Sequence, residues 1–225
     1  MKSFKKQAGF TLVEIAIVLV IVGLLLAGVL KGQELIENSR ISSIAKDMDS
    51  MTAAVGSYRD RYQGLPGDSA VAATNVTNGW GATPFTVGGN NGQIGLPAAT
   101  FAVGANENTM AIVSLMYAGF INGNPRAGIP ATIARPRHAA DGQIAVTSGV
   151  FGFVGRNAVC VNGLSGKAAA ALDRRFDDGN PITGEIRSDR IALPGNPAAG
   201  IPAAGTQFSE DPAVNAVPVT LCRQI

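Results

Sequence analysis

The hydropathy pattern changes character twice along the chain. From Phe10 to Leu30 it is continuous, 21 residues in which Glu14 is the only charge. Beyond Lys31 it becomes periodic, and Ile41, Ile44, Met48, Met51, Val55, Tyr58 and Tyr62 follow one another at spacings of 3, 4, 3, 4, 3 and 4. After Tyr62 it breaks into short apolar runs separated by glycine and proline. The continuous run rises about 31 Å as a helix, enough to cross the hydrocarbon core of a bilayer. The alternating run puts one apolar stripe on one helix face, with Lys46, Asp47, Asp49, Arg59, Asp60 and Arg61 between its members. Three heptads are the lower limit for a coiled coil, so packing onto the following domain is the favoured use. Phe10 to Gln63 contains no proline. The two patterns therefore read as one helix of about 80 Å, stopped by Gly64-Leu65-Pro66-Gly67-Asp68.

The rest predicts a head over residues 64–225. Residues 64–106 are rich in Gly, Asn, Thr and Ala, with Trp80, Phe85 and Phe101 as isolated anchors, and read as a long loop region. A short helix is expected over Thr109–Tyr117, with Met110, Val113, Met116 and Tyr117 on one face and a stop at Gly119. Gln143–Thr147, Val150–Val154 and Asn157–Val161 read as strands of an antiparallel meander. Ser165–Phe176 reads as a helix with Ser165 as N-cap and Gly179 near its end. Glu185–Ile191 reads as another strand, 192–216 as a Pro/Ala/Gly-rich loop, and Val217–Cys222 as a terminal strand. The fold class is α+β, with the sheet laid across the helix.

The N-terminus sharpens this. Met1–Gly9 is short and basic, and Lys2, Lys5 and Lys6 place it on the cytoplasmic side with the remainder outside. A cleaved secretory signal has a shorter core and an A-x-A site, and Ala27-Gly28-Val29 is a poor match. A plain anchor fits the length but has no use for a carboxylate. An ionised Glu costs on the order of 2.5 to 3.5 kcal/mol at the bilayer centre and marks function. Cleavage after Gly9 would place the α-amine of Phe10 one helical turn from Glu14. In a bundle of identical helices, the carboxylate of one subunit could then pair with the terminal amine of the next, and a mismatched register would cost about 3 to 5 kcal/mol.

Gly9-Phe10-Thr11-Leu12-Val13-Glu14, with its basic leader and apolar helix, resembles the class III signal of type IV pilins and of type II secretion pseudopilins. The resemblance covers about 30 residues. It implies a leader at 1–9, a helix at 10–63 divided into a membrane or filament-core part (10–30) and an amphipathic part (31–63), and a globular head at 64–225. It implies that a prepilin peptidase cuts between Gly9 and Phe10 and methylates the Phe10 amine, and that Glu14 aligns subunits drawn from the membrane into a helical filament. The expected function is a structural subunit of a type IV pilus or pilus-like filament, an inner-membrane precursor with a periplasmic head, partnered by copies of itself and by inner-membrane assembly machinery. The alternatives are a type II secretion pseudopilin and, from another class, a membrane-anchored binding module that never polymerises. Many pilins carry a proline within this helix; here Gly23, Gly28 and Gly32 soften it instead, which leans toward a pseudopilin or a divergent pilin.

Composition changes three points. The chain has 225 residues, a net charge of +2 and 15% charged residues, against roughly 25% in an average soluble domain. The basic excess belongs to the leader: without three lysines, 15 basic residues face 16 acidic ones. Cys160 and Cys222 are the only cysteines, and an oxidising compartment favours their pairing. The closed loop would stabilise the head by about 4 kcal/mol in the chain-entropy account, and it is similar to the C-terminal disulfide loop of type IV pilins. One His and two Cys do not make a structural zinc site.

Catalysis has no foothold in the motifs. There is no G-x-S-x-G, Gly166-Lys167 is followed by Ala168 rather than Ser or Thr, and His138 has no evident nucleophile beside it. Asp177, Asp178 and Asn180, with Thr183, cluster oxygen ligands as calcium loops do. The resemblance adds that major pseudopilins hold calcium in a late loop, although D-D-G-N is also ordinary turn chemistry. Arg126, Arg135 and Arg137, near His138, form a basic stretch that could contact DNA or another polyanion. No aromatic platform interleaves with them, so a solvated loop is the favoured reading.

Overall fold

A computed structural model describes residues 11–68, 88–95, 106–123, 135–189 and 218–225. Of the loop region expected over 64–106, residues 69–87 and 96–105 lie outside the described residues, as do the expected loop 192–216, Trp80, Phe85, Phe101 and Arg126. The first element is α1, Leu12–Tyr62. It passes through two compact units, one ending at Ser39 and one beginning at Arg40. In the second unit follow α2 (Glu107–Tyr117), β1 (Ile144–Ser148), β2 (Asn157–Leu164), α3 (Gly166–Phe176), β3 (Ile186–Asp189) and β4 (Val219–Gln224).

The 3–4 stripe on α1 is where the head is built. Ile41, Ile44, Met48, Met51, Val55 and Tyr58 are all buried, joined by Ala45 and Ala54. Tyr62 is half-buried, its ring 4.7 Å from that of Tyr58. Against this stripe pack Ile144 and Val146 of β1, Val159 and Val161 of β2, Ile186 of β3 and Leu221 of β4, together with Leu115 of α2 and Leu172 of α3. Fully burying each such side chain is worth about 1.5 to 3 kcal/mol. The stripe on α1 thus supplies one wall of the head's core.

The sheet is antiparallel with strand order β1-β2-β4-β3. Two expectations are corrected here. Val150–Val154 is not a strand: Gly149, Phe151 and Gly152 have φ of +68°, +45° and +80°, and Val150–Gly152 forms a 3-10 turn between β1 and β2. Positive φ at three positions in four is incompatible with an extended run of L-residues. The sheet is accordingly not a simple meander, because β4 inserts between β2 and β3.

Helix α2 is capped by Asn106, whose side chain accepts from Thr109 N at 2.9 Å, and it ends where Gly119 (φ +77°) donates to Met116 O at 3.1 Å. Its burial is a further correction, since Asn108 to Met116 are buried without a break rather than on one face. Three neighbours cover it: the α1 stripe, β1 and the segment 88–95. Asn108 Nδ2 donates to Val146 O at 3.0 Å, which seals an edge of β1. The other edge strand, β3, is sealed by Ser188 N donating to Pro181 O and Ile186 N donating to Asp177 Oδ2, each at 3.0 Å.

Candidate functional site

The start of α1 is a reciprocal cap. Thr11 precedes the first helical residue; its N–H donates to Glu14 Oε2 at 2.8 Å and its hydroxyl donates to the same oxygen at 2.7 Å. Glu14 N–H in turn donates to Thr11 Oγ1 at 3.3 Å. This is the capping-box exchange, T-x-x-E here, which satisfies backbone donors that a helix start leaves open. The capping role of Thr11 was missed in the sequence reading, although the T-x-x-E spacing carries it. Gly9 and Phe10, the expected processing pair, lie outside the described residues.

Above this cap α1 is apolar on all sides. Among the described residues, every exposed large hydrophobic side chain lies between Leu12 and Ile36, with Val154 of the head as the one exception. A patch of that extent is not a water-facing surface, and α1 is long and apolar enough to cross a membrane. Lys31 pairs with Glu34 at 2.6 Å at the end of the run.

In the head, Cys160 of β2 and Cys222 of β4 stand directly opposite in register and are joined as a disulfide. Both are fully buried on the sheet face away from α1, under Val150, Phe151 and Phe153. Arg187 of β3, next in the same row, donates to Phe151 O at 3.0 Å and lies 4.6 Å from the Phe153 ring. The disulfide therefore fastens the C-terminal strand into the middle of the sheet, and the β1–β2 turn shields it.

The basic stretch is not an open cationic surface among the described residues. Arg135 is buried and donates to Thr109 Oγ1 at 3.1 Å, and burial brings its pKa down to about 10. Arg137 pairs with Asp141 at 2.5 Å. His138 is buried and makes local hydrogen bonds.

The acidic loop is built from three aspartates, of which the sequence singled out two. Asp173, Asp177 and Asp178 bring carboxylate oxygens within 4.8 Å of one another. Asp177 Oδ2 is engaged by Ile186 N. Asp178 Oδ1 accepts from Asn180 N at 2.8 Å and Oδ2 from Thr183 Oγ1 at 2.7 Å, which hold its pKa low. Asp173 is fully buried; Oδ1 accepts from Gly179 N at 3.0 Å, Oδ2 has no partner among the described residues, and burial raises its pKa to about 6. Asn180 contributes its side chain to Ile182 N at 3.3 Å. The carboxylates thus close the turn from α3 to β3, and most of their oxygens are spent on it. Calcium takes six to eight oxygen ligands, and the loop has few left over.

Residues 4–30 match the family described as the prokaryotic N-terminal methylation motif. No curated protein matches the chain.

Proposed function

We propose that this chain, a prepilin- or pseudopilin-like protein by its methylation motif, apolar helix and disulfide-closed sheet head, is a subunit that polymerises into a type IV pilus or pilus-like filament. Its precursor sits in the inner membrane with Lys2, Lys5 and Lys6 on the cytoplasmic side and the head in the periplasm. A prepilin peptidase removes residues 1–9 between Gly9 and Phe10 and methylates the new amine. Helix 10–63 then carries the subunit, residues 64–225 forming the head, from the bilayer into the filament with the help of inner-membrane assembly machinery.

The observation that carries this reading is the all-round apolar surface of Leu12–Leu30 interrupted by one carboxylate, Glu14. A bilayer covers such a surface in the precursor, and copies of the same helix cover it in a filament. Glu14 Oε2 is held by Thr11, and Oε1 is left to accept from the Phe10 amine of a neighbour. The contact uses different patches on the two copies, and heterologous contacts that do not close build helical filaments. The pseudopilin reading is favoured by the proline-free α1, and the pilus reading by the disulfide on the terminal strand.

The test is Glu14→Ala beside Glu14→Gln. Both variants should insert and lose the leader as the wild type does, and both should fail to yield ordered filaments in sheared fractions seen by electron microscopy. Wild-type filaments from Glu14→Ala would sink the registry role.

A further inference from the structure

His138, the chain's only histidine, is buried at 5% exposure in a small hairpin that leads into β1. Within the hairpin, His138 N donates to Gly142 O at 3.1 Å, Asp141 N donates to His138 O at 2.9 Å, and Arg137 bridges to Gln143. The imidazole makes a second set of bonds. Ala140 N–H, which can only donate, meets Nδ1 at 3.2 Å. The ring proton therefore sits on Nε2, which donates to the carbonyl of Asn162 on β2 at 2.8 Å. Both nitrogens are used, and the ring is neutral. Gly142 leaves the room, since a Cβ at that position would collide with Nε2 and with Asn162 O.

An imidazolium does not fit this arrangement. It donates from both nitrogens, so a proton on Nδ1 would face the Ala140 N–H, donor against donor. Three groups around the ring favour its charge: the Asn162 carbonyl on β2, Asp47 on α1 and Asp141 in the hairpin. Arg137, the neighbouring cation, is paired with Asp141. Burial outweighs all three and holds the ring's pKa below its ordinary value.

We propose that His138 is a proton-operated latch: the neutral ring clamps hairpin 137–143 onto the end of β2, and protonation releases the hairpin while the sheet stays intact. Opening is then linked to one proton. It rises by up to about tenfold for each unit that the pH falls between the pKa of the released ring and that of the clamped one.

The test is hydrogen exchange of the full chain in detergent micelles, with the disulfide intact, at pH 7.5 and 5.0 and corrected for intrinsic rates. Amides of 138–143 should lose protection on acidification by about tenfold or more, while those of β2 and β4 keep theirs. His138→Gln, which retains a donor but cannot titrate in this range, should flatten the response. Asp47→Asn, which lowers the pKa of the clamped ring alone, should leave the onset of the response in place and deepen it at low pH. Equal protection at both pH values, an unchanged response in His138→Gln, or uniform loss across the sheet would overturn the latch. If His138→Gln does not fold, the ring's own NMR titration in the wild type decides, and a midpoint at or above 6.5 counts against the proposal.

Discussion

Arg223 of β4 reaches Asp49 of α1 at 2.5 Å, and the same guanidinium lies 4.4 Å from the ring centroid of Phe176 at the end of α3. One side chain thereby ties the C-terminal strand to both helices that flank it. Asp49 is half-exposed, so the ion pair is worth at most about 1 kcal/mol, and the stacked cation adds about 0.5 to 1 kcal/mol. Arg223→Ala should lower the unfolding free energy by about 1 to 2 kcal/mol. Arg223→Lys should fall between, because it keeps the charge and loses the planar stack. Denaturant midpoints at low and high salt separate the two parts, since only the ion pair is screened.

Removing the disulfide should cost more. Cys160 and Cys222 close a sequence separation of 62 residues, for which the chain-entropy account gives about 4 kcal/mol. The double variant Cys160→Ala/Cys222→Ala should lose a stabilisation of that order in guanidinium unfolding. Both cysteines are fully buried, so a reductant reaches them when the β1–β2 turn or the sheet opens. Reduction of the native head should therefore be slow, and should speed up in mild denaturant. Fast reduction under native conditions would contradict the shielding by Phe151 and Phe153.

How far the fold was legible differs between local and non-local features. The α1 stripe could be read because a helix writes its buried face into the chain at fixed spacing, and Ser165 could be read as a cap because its effect is confined to Ala168, three residues on. The placement of β4 between β2 and β3 could not, since no local pattern records which distant strand a segment pairs with. Val150–Val154 misled because its Val and Phe content favours strands, while the backbone follows the flanking glycines. Arg135 was read as a loop cation and lies buried against Thr109. At the candidate assembly site Glu14 stood out by charge alone, whereas Thr11 blended into the run. Asp173 was hidden for another reason. It falls among polar residues of an amphipathic helix, and its burial comes from the following turn folding back.

Two carboxylates hold the segment 88–95 against the head. Glu107 accepts from Gly89 N with Oε1 and from Gly95 N with Oε2, each at 2.8 Å. Asp68 accepts from Asn91 N at 3.0 Å and Gly92 N at 2.8 Å. Charge-assisted bonds are worth about 1.5 to 3 kcal/mol each, and the two on Glu107 fail together when its oxygens are replaced. Glu107→Ala should raise exchange at Gly89 and Gly95, and Asp68→Ala at Asn91 and Gly92, with each pair responding to its own carboxylate. Simultaneous loss at all four amides in either variant would mean that the segment opens as one unit.

Asp173 gives the head a stability term with the opposite pH sign to that of His138. Its carboxyl is raised from an unfolded value near 3.8 to about 6, chiefly by burial. The folded state therefore favours the protonated form; this contribution is complete below pH 3.8 and is lost as pH rises through about 6. At pH 7.5 the buried carboxylate keeps one oxygen without a partner among the described residues, beside Asp177 and Asp178. Asp173→Asn has the same shape and carries no charge, so it should stabilise the head at pH 7.5 by about 1 to 3 kcal/mol, and by little at pH 4. The measurement is denaturant unfolding across that pH range with a chelator present throughout, so that no cation contributes. A destabilised Asp173→Asn at pH 7.5 would show instead that the charge of Asp173 holds the turn together.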